Sequence, residues 1–171
     1  MTRILSNCWA LFLGMGLIML GNGLQTSLLG VRAAMENFGT TIAGFMMSGY
    51  FLGLIAGCHL APILVKRVGH IRIFGALASL ASISILFQAM VVDPFFWWAM
   101  RLITGFSYAG IYIVTESWLN ESATNQTRGK LLSCYMLISF AGMAGGQMML
   151  NLFSPSGFEL FLLASLMISL A

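Results

Sequence analysis

Long apolar runs alternate with short polar breaks along this chain, and the runs have a common length. The pattern predicts helices over roughly 8–29, 41–65, 73–92, 95–119 and 131–153, with a sixth apolar run over 158–171. The first five are each close to the 20 or so residues that cross about 30 Å of hydrocarbon. The sixth rises only about 21 Å, so it reads either as an incomplete last helix or as the end of a truncated product. The breaks are short: Arg32 to Gly39, Lys66 to Arg72, Asp93-Pro94, Asn120 to Lys130 and Ser154-Pro-Ser-Gly157. Pro94 suits the first turn of a helix. The first run follows one Arg, as in a signal peptide, but it is long and lacks a clear small-residue cleavage site, so it reads as a retained helix.

Composition sharpens this into an all-α integral membrane protein. Of 171 residues, 59% are hydrophobic and 8% charged, against about a quarter charged in soluble domains. The net charge of +3 sits in breaks beside apolar runs, which points to topology and not to nucleic acid. Sorted by side, Arg3, Lys66, Arg67, Arg72, Arg128 and Lys130 fall together and Arg32 falls opposite. That asymmetry places the N-terminus in the cytoplasm and Asp93-Pro94 outside. Phe95, Phe96, Trp97 and Trp98 are then expected in an outer aromatic belt. Cys8, Cys58 and Cys134 are dispersed in apolar runs and read as small core residues. No P-loop, dinucleotide fingerprint, metal-ligand spacing or nucleophile–base pattern is present in the sequence. The expectation is a protein that is not an enzyme and uses no cofactor or metal.

Polar residues inside the spans carry the candidate chemistry. Measured from Arg101 at 100° per residue, Gly105, Tyr108, Tyr112, Thr115 and Glu116 all lie within about 60° on one face of the fourth helix. Such a charge faces a bundle interior or a water path, or else snorkels to the nearby interface. Asn22, Gln25 and Thr26 share a face of the first helix, where they would bond either a solute or a neighbouring helix. Gln147 adds a polar group on the fifth helix. Gly49, Gly53 and Gly57 on the second helix, Gly105, and Gly142 and Gly146 on the fifth admit close helix packing. His59 reads as a helix-end polar residue, and Gln88 has no evident companion.

Three stretches together resemble a known family. They are Pro62-Ile-Leu-Val-Lys-Arg-Val-Gly-His-Ile-Arg72, Arg101-Leu-Ile-Thr-Gly105, and Glu116-Ser-Trp-Leu-Asn120 with Asn125-Gln-Thr-Arg-Gly129. With the six-helix pattern, they look like the N-terminal half of a major facilitator superfamily transporter of the bacterial YcaD-like branch. The resemblance implies a twelve-helix protein whose C-terminal half is absent from this sequence. It implies a small-molecule substrate held between halves, alternating access, and coupling to protons or another ion, in the bacterial inner membrane. Helices 1 and 4 would line the cavity, 2 and 5 would help gate it, and 3 and 6 would face lipid. In the family loop, a Gly and an Asp stand where this chain has Pro62 and Lys66. Lys66, Arg67, Gly69, Arg72 and Glu116 would form the gating network, with Lys66 pairing Glu116 in one state. Two alternatives stand beside the transporter: a six-helix structural or assembly subunit, and a half-size carrier that dimerises.

Overall fold

The computed structural model describes residues 2–171, with side chains from Trp9 onward. The side chains of Arg3 and Cys8 therefore lie outside the described residues. Among these, six α-helices follow one another without a strand: α1 Thr2–Met35, α2 Gly39–Val68, α3 His70–Met90, α4 Pro94–Ser122, α5 Arg128–Met148 and α6 Glu159–Ser169. A 3₁₀ turn, Met149–Asn151, follows α5. Trp9–Met35, Gly39–Val68, His70–Met90 and Arg128–Asn151 are long and apolar enough to cross a membrane. The helix that carries the polar stripe, α4, is 29 residues long, and α6 is 11.

The helices end where backbone geometry requires it, which is not where polarity begins. Lys66, Arg67 and Val68 remain in α2, and His70 already opens α3. The expected basic loop is thus one residue, Gly69, at φ 91°, a region that a Cβ disfavours. Lys and Arg are good helix formers, so a basic stretch does not by itself break a helix. For the same reason Arg32 lies in α1 rather than in a loop; the break comes at Asn37, φ 58°, and Gly39, φ 73°. His59 consequently sits inside α2, where its Nδ1 lies 2.8 Å from the Ile55 carbonyl oxygen, and not at a helix end. The third helix stops at Met90, short of Val92, because the chain must extend before proline; Asp93 has φ −142° and ψ 132°. Its carboxylate then accepts from the Phe96 N–H at 2.8 Å, an N-cap that starts α4 with Pro94 in its first turn. The fifth helix ends as an α-helix at Met148 and loosens through the 3₁₀ turn.

Packing arranges the helices in pairs. The fullest interface joins α2 to α4, the next joins α1 to α5, and α3 and α6 close the back by packing on each other and on α4 and α1 respectively. Contact between α1 and α4 is sparse. Gly49, Gly53 and Gly57 are buried on α2 against the backbone of Trp98, Leu102 and Phe106 on α4. Gly105 returns the contact against Tyr50, while Gly142 and Gly146 on α5 meet α1 at Gly16–Met19 and Leu20. Phe51, Ile55, Ile71, Leu137, Phe140 and Met148 point outward, an apolar exterior too large for a water-soluble surface.

Two expectations about side chains need correction. Cys58 is exposed and only Cys134 is half-buried, because Cys58 falls on the face of α2 turned away from α4. Trp97 is fully buried and is no belt residue. Its indole N–H donates to the carbonyls of Gln88 at 3.0 Å and Val91 at 2.7 Å, satisfying acceptors that the end of α3 leaves open. Phe95 is 72% exposed and Trp98 stacks on Phe45, so the outward aromatics at this end are these.

Candidate functional site

The polar stripe of α4 is turned into the bundle. Arg101 is 3% exposed, and Tyr108 and Thr115 are fully buried; only Glu116 at the far end is exposed. Gly105 lacks a side chain, and so α2 approaches closely enough for Tyr50 to reach Arg101. The guanidinium carbon lies 4.4 Å from the Tyr50 ring centroid, a cation–π contact worth about 2 kcal/mol when desolvated. From Tyr50 an aromatic row continues down α4. Tyr50 and Tyr108 have centroids 6.3 Å apart, and Tyr108 and Tyr112 the same separation. On the α1 side, Asn22 Nδ2 donates to the Tyr112 hydroxyl at 3.4 Å, and that hydroxyl donates to Met19 Sδ at 3.7 Å. Asn22, Tyr50, Arg101, Tyr108 and Tyr112 therefore form one cluster where α1, α2 and α4 meet.

The cluster holds more polar capacity than it uses. Arg101 Nε and Nη1, the Tyr108 hydroxyl, Asn22 Oδ1 and Thr115 Oγ1 are buried with no hydrogen-bond partner among the described residues. Buried polar groups are ordinarily satisfied, and an arginine stays charged at any working pH. These orphaned groups follow the buried face of α4 from Arg101 to Thr115 and the side of α1 at Asn22.

Not every predicted residue belongs to it. Gln25 shares a helix face with Asn22, yet its Nε2 donates to Gln88 Oε1 on α3 at 2.9 Å, both residues being fully buried. This supplies the companion that Gln88 lacked in the sequence and makes Gln25 a helix–helix contact. Thr26 and Gln147 are exposed. Tyr50 was not singled out by sequence reasoning. The signal available was its place between Gly49 and Gly53, where small neighbours let an aromatic ring reach across to another helix.

A second polar group forms where α3 begins. His70 Nε2 lies 3.1 Å from Ser117 Oγ and 3.6 Å from Glu121 Oε1 on α4. Gly69, Arg72 and Trp118 join His70 and Glu121 around a cavity of about 320 Å³. Lys66, Arg67, Arg72 and Glu116 are all exposed, and no Lys66–Glu116 ion pair exists in this structure. Because α2 stays helical to Val68, Lys66 remains on its outer side. The turn at Gly69 brings His70, not Lys66, onto the end of α4. At the opposite end, Arg32 pairs with Glu36 at 2.8 Å and donates to the carbonyls of Pro155 and Ser156, tying the turn before α6 to α1.

Long apolar helices with an apolar exterior and a buried, charged interior define an all-helical, multi-pass membrane protein. Its sequence relatives narrow the class. The chain belongs to the sugar (and other) transporter family, whose family model matches residues 8–171. It is 31% identical over 141 residues to an uncharacterized MFS-type transporter of Enterobacter sp. (strain 638), covering 82% of this chain and 37% of the relative. It is 31% identical over 138 residues to the uncharacterized MFS-type transporter YcaD of Escherichia fergusonii, covering 81% and 36%. Against YcaD of Escherichia coli O45:K1 the identity is 28% over 138 residues. The chain thus spans little more than a third of the length of these relatives. No solved structure matches it. The motif-based resemblance to the YcaD-like branch is borne out, and the family is one of transporters, not enzymes.

Proposed function

We propose that this chain is the N-terminal half of a secondary transporter that moves a small solute across the bacterial inner membrane by alternating access. The observation that carries the reading is the buried cluster around Arg101. A charge held inside a membrane bundle is costly and marks a substrate or ion path by default, and substrate sites in such proteins lie between helices near mid-membrane. The family membership and the relatives' printed names support the same reading. Asn22, Tyr50, Arg101, Tyr108 and Tyr112 line the solute path from this half, and the relatives' remaining length supplies the facing half. Coupling to a proton or other ion gradient follows the same reading. The Lys/Arg asymmetry supports a cytoplasmic N-terminus, with Lys66, Arg67, Gly69, Arg72 and Glu116 at the cytoplasmic gate.

The test is a solute-flux screen in proteoliposomes of the full-length protein, with and without a pH gradient. A gradient-dependent flux that Arg101→Ala abolishes while insertion and yield are kept supports the proposal. Undiminished flux in Arg101→Ala would reduce Arg101 to a structural charge.

A further inference from the structure

We propose that the solute is a small organic carboxylate, with its acid group held at Arg101 and its body against the tyrosines. The ligand class rests on the solute-path reading above. Its first support is a charge inventory. The chain has five acids, Glu36, Asp93, Glu116, Glu121 and Glu159; four stand at or beyond a helix end, and Glu116 lies in the last two turns of α4. On α4 itself, Asp93 is eight residues from Arg101 and Glu116 fifteen, about 12 Å and 22 Å along the axis. Asp93 is already engaged as the N-cap, and Glu36 is paired with Arg32. No acid among the described residues neutralises Arg101, and a desolvated guanidinium requires a counter-charge.

The second support is the shape of what surrounds it. The Tyr50 ring covers one face of the guanidinium at 4.4 Å, so two orphaned nitrogens, Nε and Nη1, are left for an acceptor. A carboxylate is the acceptor that planar guanidinium donors match best. Past it, the buried Tyr108 carries an unpartnered hydroxyl and the buried Asn22 an unpartnered carbonyl oxygen. An anion with a flat or apolar body and a distal hydroxyl or amide would use all of these groups. A neutral sugar would leave the cation uncompensated.

The experiment uses detergent-purified full-length protein, thermal unfolding as readout, and benzoate and benzamide as probes of equal shape and different charge. Excess benzoate should raise Tm by about 2 °C or more, as a ligand that binds only the folded state does, and benzamide should not. Arg101→Gln should erase the benzoate shift, Arg101→Lys should keep part of it, and Tyr108→Phe should reduce it. Equal shifts from both probes, a benzoate shift that survives Arg101→Gln, or no benzoate shift in the wild type would overturn the assignment. The last of these, with a lower Tm in Arg101→Gln, would assign the counter-charge to a carboxylate of the facing half. Charge-selective binding without flux in proteoliposomes would instead overturn the transporter reading and leave the ligand class standing.

Discussion

Gly49 offers a sharp test of how α2 and α4 are held. A Cβ built on it would lie 2.5 Å from the Trp98 carbonyl oxygen, where ordinary contact begins at 3.4 Å. The obstacle is helix backbone and cannot rotate away, so Gly49→Ala must push the helices apart by up to about 1 Å, against interaxial distances of about 8–10 Å. Opening this seam also loosens Gly53 and Gly57, which face the Leu102 and Phe106 backbone. Overpacking of this kind costs about 1–3 kcal/mol. Gly44 is the internal control. It lies in the same helix with nothing within 4 Å of its would-be Cβ, so Gly44→Ala gains only the helix-propensity difference, about 1 kcal/mol in favour of Ala at most. Denaturant-dependent unfolding of the full-length protein in mixed micelles should therefore show the two substitutions moving stability in opposite directions. Gly49→Ala as stable as Gly44→Ala would refute the claim that backbone contact, and not side-chain packing, sets this interface.

Two further outcomes follow. Gln25→Leu or Gln88→Leu alone should destabilise by about 1–3 kcal/mol, because each leaves a buried amide without its partner; the double substitution should recover most of that loss in a double-mutant cycle, and simple additivity would sink the pairing. For orientation, cysteines placed singly at Asn37 and Ser122 in a cysteine-free background should label from opposite faces. An impermeant thiol reagent on intact cells should reach Asn37→Cys, and Ser122→Cys only after permeabilisation; the reverse would invert the topology.

Much of this architecture could be read from apolar run lengths, because bilayer thickness imposes a length that sequence displays directly. The polar face of α4 was readable for the same kind of reason, since a 100° period places Arg101, Tyr108 and Tyr112 together whatever surrounds them. What escaped depends on which helices touch. Gln25 and Asn22 share a face, but their side chains reach different helices: Gln25 joins Gln88 on α3, while Asn22 joins Tyr112 on α4. Tyr50 entered the cluster only through the close approach that Gly105 permits. The basic stretch misled for a physical reason as well. Polarity reports where a helix leaves hydrocarbon, whereas the turn itself is set by the left-handed Gly69.

The most direct test of the central claim is solvent access to the cluster from both membrane faces. Asn22→Cys in a cysteine-free full-length protein would be exposed to an impermeant thiol reagent in right-side-out and in inverted vesicles. Ile83→Cys, on the outward face of α3, would serve as the lipid-facing control. A transporter that alternates its access should label at Asn22→Cys from either face and remain unlabelled at Ile83→Cys from both. An Asn22→Cys that reacts from one face only, or from neither, would contradict a solute path through this cluster.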